Sequence, residues 1–200
     1  MNTTTLELVF ASQNQNKVKE IQGLLPDHVS VKSLKDIACF DDIPEEEPTL
    51  EGNALQKAKY IYDKFGVNCF ADDTGLEIEA LDGAPGVYSA RFSGPERNDD
   101  NNIDLVLEKL ASQVNRNARF RTVIALILDG KEYLFEGIVR GEIRKERKGT
   151  EGFGYDPIFE PEQFGKTFAE MSLDQKNERS HRSRAINRVS DFLRSIKRNS

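Results

Sequence analysis

Apolar positions change their period several times along this chain of 200 residues, and each change marks an element. Residues 6–12 read as a strand that runs into a polar stretch, Ser12-Gln13-Asn14-Gln15-Asn16-Lys17. Val18, Ile21, Leu24 and Leu25 then recur at helical spacing until Pro26, which cannot continue a helix. Thr49 is a suitable N-cap for a second helix. Its buried stripe is Leu50, Ala54, Ala58, Ile61 and Phe65, and Gly66 suits its stop. The apolar run 67–71 predicts a short buried strand, with Asp72-Asp73-Thr74-Gly75 as a turn at its end. Alternation resumes after it, with Leu76, Ile78 and Ala80 on one face and Glu77 and Glu79 on the other. Ile103, Val106, Leu107, Leu110 and Val114 predict a third helix. Residues 121–129 and 132–143 predict a hairpin turning at Gly130-Lys131. Ala185, Ile186, Val189, Phe192, Leu193 and Ile196 predict a last helix over about 180–198. Strands and helices mix with at least one antiparallel pair, which predicts an α/β class with a mixed sheet. No repeat or low-complexity linker interrupts the pattern, so residues 1–200 read as a single domain.

Composition narrows the class. Apolar residues make up 38% and charged residues 31%, and no run approaches a membrane span. The N-terminus lacks a cationic start followed by an apolar core, so it does not read as a secretory signal. Cys39 and Cys69 form no CxxC pair and read as reduced thiols, which points to a cytoplasmic protein. The net charge of −6 hides an asymmetry. Residues 36–51 carry acids and no Lys or Arg, whereas residues 176–200 are rich in bases. A solvated face explains either run. So does one site in which acids hold a cation and bases hold a polyanion. The overall acidity disfavours a groove for long nucleic acids.

The candidate chemistry sits in the polar breaks. A strand, polar turn and helix around residues 12–17 aims backbone N–H groups at an anion, without a Walker loop or a GxGxxG signature. Adjacent carboxylates at Asp72 and Asp73 need a cation, a proton or strong donors nearby. Asn53 and Lys57 are four apart on one helix and point the same way, which a solvated face explains equally well. The stretch 149–161, GTEGFGYDPIFEP, is too rich in Gly and Pro for regular structure. It offers Phe153 and Tyr155 as a wall for a flat ring and Asp156 as an acceptor. Lys176, His181 and Arg182 place donors at the start of the last helix.

These blocks together resemble the inosine triphosphate pyrophosphatase family. The resemblance rests on SQNQNK (12–17), TLEGNALQKA (49–58), ADDTGLEIEALDGAPGVYSARFSG (71–94), GFGYDPIF (152–159), KTFAEM (166–171), Lys176 and SHR (180–182), in the family's order. It implies cleavage of a nucleoside triphosphate between the α and β phosphates, with a preference for inosine, deoxyinosine and xanthosine triphosphates. It also implies magnesium, with manganese as a substitute, and a homodimer. The implied fold is an elongated mixed β-sheet flanked by helices, in two lobes with a central nucleotide cleft. Carried over by position, Asp73 is the proton acceptor and Glu45 and Asp73 hold the metal. Ser12, Gln13, Asn14, Gln15, Asn16, Lys17, Thr74, Phe153, Gly154, Tyr155, Asp156, Lys176, His181 and Arg182 bind the substrate, with Asn53, Lys57 and Asp72 in support. Three stretches depart from the family pattern. Glu47-Pro48-Thr49-Leu50 replaces the usual Gly-x-Thr-Phe, which leaves Glu45, Glu46 and Glu47 open as metal ligand, Glu45 being favoured by register. Thr74 replaces Ser and Ser183 replaces Gly. The readings set against this one are a pyrophosphatase of other modified nucleotides and a nucleotide-binding protein without hydrolysis.

Overall fold

The computed structural model describes residues 5–21 and 23–198. Six strands form one sheet, in the order β2-β1-β3-β4-β5-β6: β1 (Leu6–Phe10), β2 (Val29–Lys32), β3 (Cys69–Ile78), β4 (Asn117–Leu128), β5 (Lys131–Ile143) and β6 (Phe159–Pro161). β1 pairs in parallel with both β2 and β3, whereas β6 pairs antiparallel with β5, so the sheet is mixed as expected. The helices are α1 (Gln15–Ile21), α2 (Leu50–Phe65), α3 (Asp99–Lys109), α4 (Leu173–Asn177) and α5 (His181–Arg198). Among the described residues, no helix is long and apolar enough to cross a membrane.

The chain forms two compact units. One comprises the described residues up to Asp73, Thr122–Gly137 and the chain from Arg182 onward; the other comprises Thr74–Arg121 and Ile138–His181. Each has its own core. In the first, Leu8 and Phe10 of β1, Phe70 of β3 and Ile124 and Leu126 of β4 pack with Ala185, Ile186, Val189 and Leu193 of α5. Phe10 and Phe70 are paired across β1 and β3, and their rings stack at 4.7 Å. In the second, Leu76, Ile78, Ile103, Val106 and Leu110 pack with Phe120, Phe159 and Phe168, whose rings meet one another at 4.7 to 6.1 Å.

Local signals fix α2 as the sequence predicts. The Thr49 hydroxyl accepts from the Gly52 amide at 3.0 Å, and Gly66, at φ 64°, returns its N–H to Tyr62 at 2.8 Å. Several expectations fail. α1 ends at Ile21, so Leu24 and Leu25, expected on its stripe, lie outside it, and Phe159–Pro161, in a stretch expected to be irregular, forms β6. β3 runs without a turn through Asp72-Asp73-Thr74-Gly75, and Ala80, expected on its buried face, lies in a short 3-10 turn. A Cβ on Gly75 would stand 2.7 Å from the Gly86 carbonyl oxygen, so the glycine serves close packing rather than turning. α3 ends at Lys109, and Val114, expected on its stripe, is 98% exposed. There Arg116 takes over, donating to the carbonyls of Leu110, Ile143 and Arg144 at 2.6–2.9 Å. The hairpin turns at Asp129-Gly130 rather than Gly130-Lys131. Both have positive φ, 49° and 77°, as a two-residue turn with matching twist requires.

The Gly75 contact yields a stability test. Gly75→Ala should lose about 1–3 kcal/mol, the usual cost of overpacking a tight site, because the nearest atoms belong to backbone. Urea unfolding measures it; an unchanged midpoint would show that the strand can shift away from Gly86.

Candidate functional site

In the first unit the site is a set of charges gathered around Asp72 and Asp73, in the middle of β3. Asp72 is 1% exposed. Lys17, from the first turn of α1, approaches its carboxylate at 3.0 Å, and Arg182 Nε of α5 at 3.3 Å. The same guanidinium donates through Nη1 to Glu20, so Arg182 is buried between two carboxylates. Lys17 is aimed by its own turn: Asn14 Oδ1 accepts from the amides of Asn16 and Lys17 at 2.9 and 3.3 Å, and Ser12 Oγ accepts from the Asn14 amide at 3.2 Å.

Asp73 meets other partners. Asn53 Nδ2 donates to its carboxylate at 3.1 Å, and Lys57 Nζ lies 3.8 Å away. Lys57 also reaches Glu45 Oε1 at 2.6 Å, so one ammonium stands between Glu45 and Asp73. Asn53 and Lys57 are buried at 1% and 6% exposure, which removes the solvated-face reading of this pair. Of the three glutamates left open, Glu45 is the one whose carboxylate meets Lys57, whereas Glu46 and Glu47 are exposed and bond through their backbone amides.

Environment separates the two aspartates. Burial alone would raise Asp72, but Lys17, Arg182 and Lys57 outweigh it and hold the carboxyl far below its usual range. Burial raises Asp73, and the pull of Lys57, Lys17 and the Asn53 amide does not fully offset it. Burial lowers Lys17 despite Asp72, whereas Asp73 and Glu45 overcome burial at Lys57 and raise it. Two neighbouring carboxylates are thus shifted in opposite directions, Asp72 downward and Asp73 upward.

Among the described residues no group of three or more His, Cys, Asp or Glu side chains could hold a metal ion. Magnesium does not need one. It is commonly held by one or two carboxylates together with waters and substrate phosphates. Glu45 and Asp73, both hard oxygen donors already drawn to one cation, fit that requirement.

The second unit orders the stretch around Phe153. Asp156 is 2% exposed; its Oδ2 accepts from the Phe153 amide at 2.9 Å and from Lys176 Nζ at 2.6 Å. That ammonium also lies 4.9 Å from the centre of the Phe153 ring. Asp99, at the start of α3, accepts from the Gly154 amide at 2.8 Å. Tyr155 corrects an expectation: it is a core residue, 4% exposed, with its hydroxyl donating to the Ser89 carbonyl at 2.8 Å, so its ring is not a free stacking wall. Phe153 and Thr74 are half-buried. His181 is buried with its ring stacked on Phe120 at 4.6 Å.

Sequence reasoning missed Glu20 and Asp99. Glu20 follows Lys17 by three on α1, a spacing that puts both on one helix face and could have flagged it. Asp99 carried no such signal, being one of two adjacent acids in an ordinary helix first turn.

The burial of Asp72 predicts a pH-dependent stability. Its folded pKa is depressed, so its contribution is present above the unfolded value of about 3.9 and is lost as pH falls toward the folded value. Asp72→Asn leaves Lys17 and Arg182 short of an anion and should cost about 3–5 kcal/mol at pH 7, the range for breaking a buried pair. The gap from wild type should narrow below about pH 4. Urea titrations at several pH values check both, and a gap that stays constant with pH would contradict the assignment.

Comparison with known proteins agrees with the fold. The Ham1 family profile matches residues 8–192. A dITP/XTP pyrophosphatase of Flavobacterium johnsoniae is 53% identical over 96% of this chain and 100% of that protein. One from Porphyromonas gingivalis is 50% identical over 94% and 97%. The solved Ham1 protein of Staphylococcus aureus superposes with a TM-score of 0.87 at 39% identity, covering 95% of this chain and 99% of that one. The Coxiella burnetii HAM1 structure gives 0.88 at 38% identity, covering 96% and 100%. With the α/β fold and nearly the whole length in common, this chain belongs to the Ham1 family.

Proposed function

We propose that this chain hydrolyses non-canonical purine nucleoside triphosphates, inosine, deoxyinosine and xanthosine triphosphates among them, to the monophosphate and pyrophosphate. The observation that carries the reading is the split between Asp72 and Asp73. A hydrolase needs a base that can accept a proton from water, and Asp73, raised by burial, suits that task. A lysine-directing anion must stay charged, and Asp72 suits that one. The relatives' shared name, dITP/XTP pyrophosphatase, supports the same activity.

A triphosphate brings about four negative charges, and attack at the α phosphorus requires their neutralisation. Lys17 and Lys57 supply two fixed cations beside the base. Asp72 orients Lys17, and Asn53 orients the Asp73 carboxylate. Glu45 and Asp73 would hold magnesium, which supplies further charge neutralisation at the phosphates when bound. In the second unit, Phe153 offers a ring face backed by the Lys176 ammonium, chemistry that suits a purine. Inosine and xanthosine carry a carbonyl oxygen at the 6-position where adenosine carries an amino group, so a site with donors there favours the deaminated bases. The family resemblance supports a homodimer, and the free thiols of Cys39 and Cys69 support a cytoplasmic location.

Asp73→Asn keeps the shape and removes the base together with one charge. It should lower kcat by about 10²–10⁴, the range for losing a general base, while nucleotide binding is largely kept. Pyrophosphate release from inosine triphosphate reads the first quantity and equilibrium binding the second. Near-normal turnover would move the base elsewhere, and binding without any release in the wild type would favour a nucleotide sensor. Chelation should abolish activity and added magnesium or manganese restore it; full turnover after exhaustive chelation would remove the metal role of Glu45 and Asp73.

A further inference from the structure

The segment that carries Glu45 has no regular secondary structure from Asp41 to Glu47. No backbone ladder holds its register, and ordering each such residue costs roughly 1–2 kcal/mol of chain entropy. Yet it lies along α2 with a defined alignment, running in the opposite direction. The Asp41 carboxylate accepts from Tyr60 Oη at 2.8 Å and Lys64 Nζ at 2.5 Å. Glu45 takes Lys57 at 2.6 Å. The Glu46 amide donates to Gln56 Oε1 at 3.0 Å and the Glu47 amide to Asn53 Oδ1 at 2.9 Å. The sequence positions fall on one side and rise on the other, as a strap laid antiparallel on the helix must.

Asp41 is the far anchor of that strap, and it has a third tie. Its backbone carbonyl accepts from Gln13 Nε2 at 2.8 Å, so it also touches the turn that aims Lys17. The Cys39 thiol lies 3.7 Å from the same carboxylate. Lys64 first, then Tyr60, hold the Asp41 carboxyl below the usual carboxylate range, so the anchor stays ionised at neutral pH. One residue therefore joins α2, the acidic strap and the polar turn, three segments separated in sequence.

We propose that Asp41 is a positioning residue, which pins the strap to Tyr60 and Lys64 and thereby keeps the Glu45 carboxylate beside Lys57 and Asp73. The consequence for metal binding rests on the reading of Glu45 as a ligand; the positioning itself does not. An exposed ion pair contributes little stability on its own, so the effect of removing it is local: Glu45 loses its fixed place while the unit stays folded.

Asp41→Ala, Tyr60→Phe and, as a control on the same helix, Lys59→Met separate these ideas; Lys59 pairs with Glu132 at 2.8 Å, away from the strap. Two measurements are made on nucleotide-free protein. Amide hydrogen exchange of Glu46 and Glu47 reads the strap directly, and electron paramagnetic resonance titration with Mn2+ reads the site. Asp41→Ala should lower the protection of both amides about tenfold and the manganese affinity about three- to tenfold, the range that one surface anchor carries. Tyr60→Phe should move both part of the way and Lys59→Met neither. Unchanged protection, or unchanged affinity with a lowered melting temperature, would overturn the proposal and leave Asp41 a stabilising surface contact. Equal manganese affinity in wild type and Glu45→Gln would instead remove the metal reading, and the positioning role of Asp41 would then be decided by the amide protection alone.

Discussion

Everything in the first unit's site depends on how Asp72 is buried. A carboxylate with 1% exposure is tolerable only if cations reach it, since an unpaired buried charge costs several kcal/mol. The cations come from Lys17 on α1 and Arg182 on α5, and Arg182 in turn requires Glu20. Arg182 and Glu20 are 162 positions apart, so the network can form only when both chain ends have docked on β3. The charges that make the site are thus also a condition of the fold around it.

Continuity of β3 then separates the two aspartates. Successive side chains of a strand point to opposite faces. Asp72 therefore meets Lys17 and Arg182 on one side, while Asp73 meets Asn53 and Lys57 on the other. Both carboxylates feel Lys17 and Lys57, but Asp72 also has Arg182, and the cations outweigh burial there while burial prevails at Asp73. Burial raises the proton affinity of Asp73, and the Lys57 ammonium at 3.8 Å and the Asn53 amide do not fully offset it.

The second unit reaches rigidity differently. The stretch around Phe153 has almost no regular structure, so turn bonds between backbone groups and side-chain contacts order it together: Asp156 holds the Phe153 amide and Lys176, Asp99 holds the Gly154 amide, and the Tyr155 hydroxyl holds Ser89. A Cβ on Gly152 would lie 2.1 Å from Asp156 Oδ2, which is why this position has a glycine. Rigid placement of a ring and an ammonium favours binding because little freedom is left to lose.

Local chemistry made much of this legible before the fold was known. Thr49 and Gly66 bound α2 where the cap and stop signals place them, because both act through backbone groups within one turn. The motif blocks of residues 12–17, 71–94 and 152–159 identified the family. What the sequence could not reveal was the state of those residues. Asp72 and Asp73 look alike in a linear pattern and like a turn in composition. Their difference comes from charges supplied by α1, α2 and α5, that is, from contacts spanning 20 to 110 positions. Tyr155 reads as a binding aromatic until packing shows it filling a core, and Val114 reads as a stripe residue until Arg116 ends the helix before it. Periodicity and caps are short-range and survive in one dimension; burial, pairing and proton affinity are sums over neighbours that only the folded chain assembles.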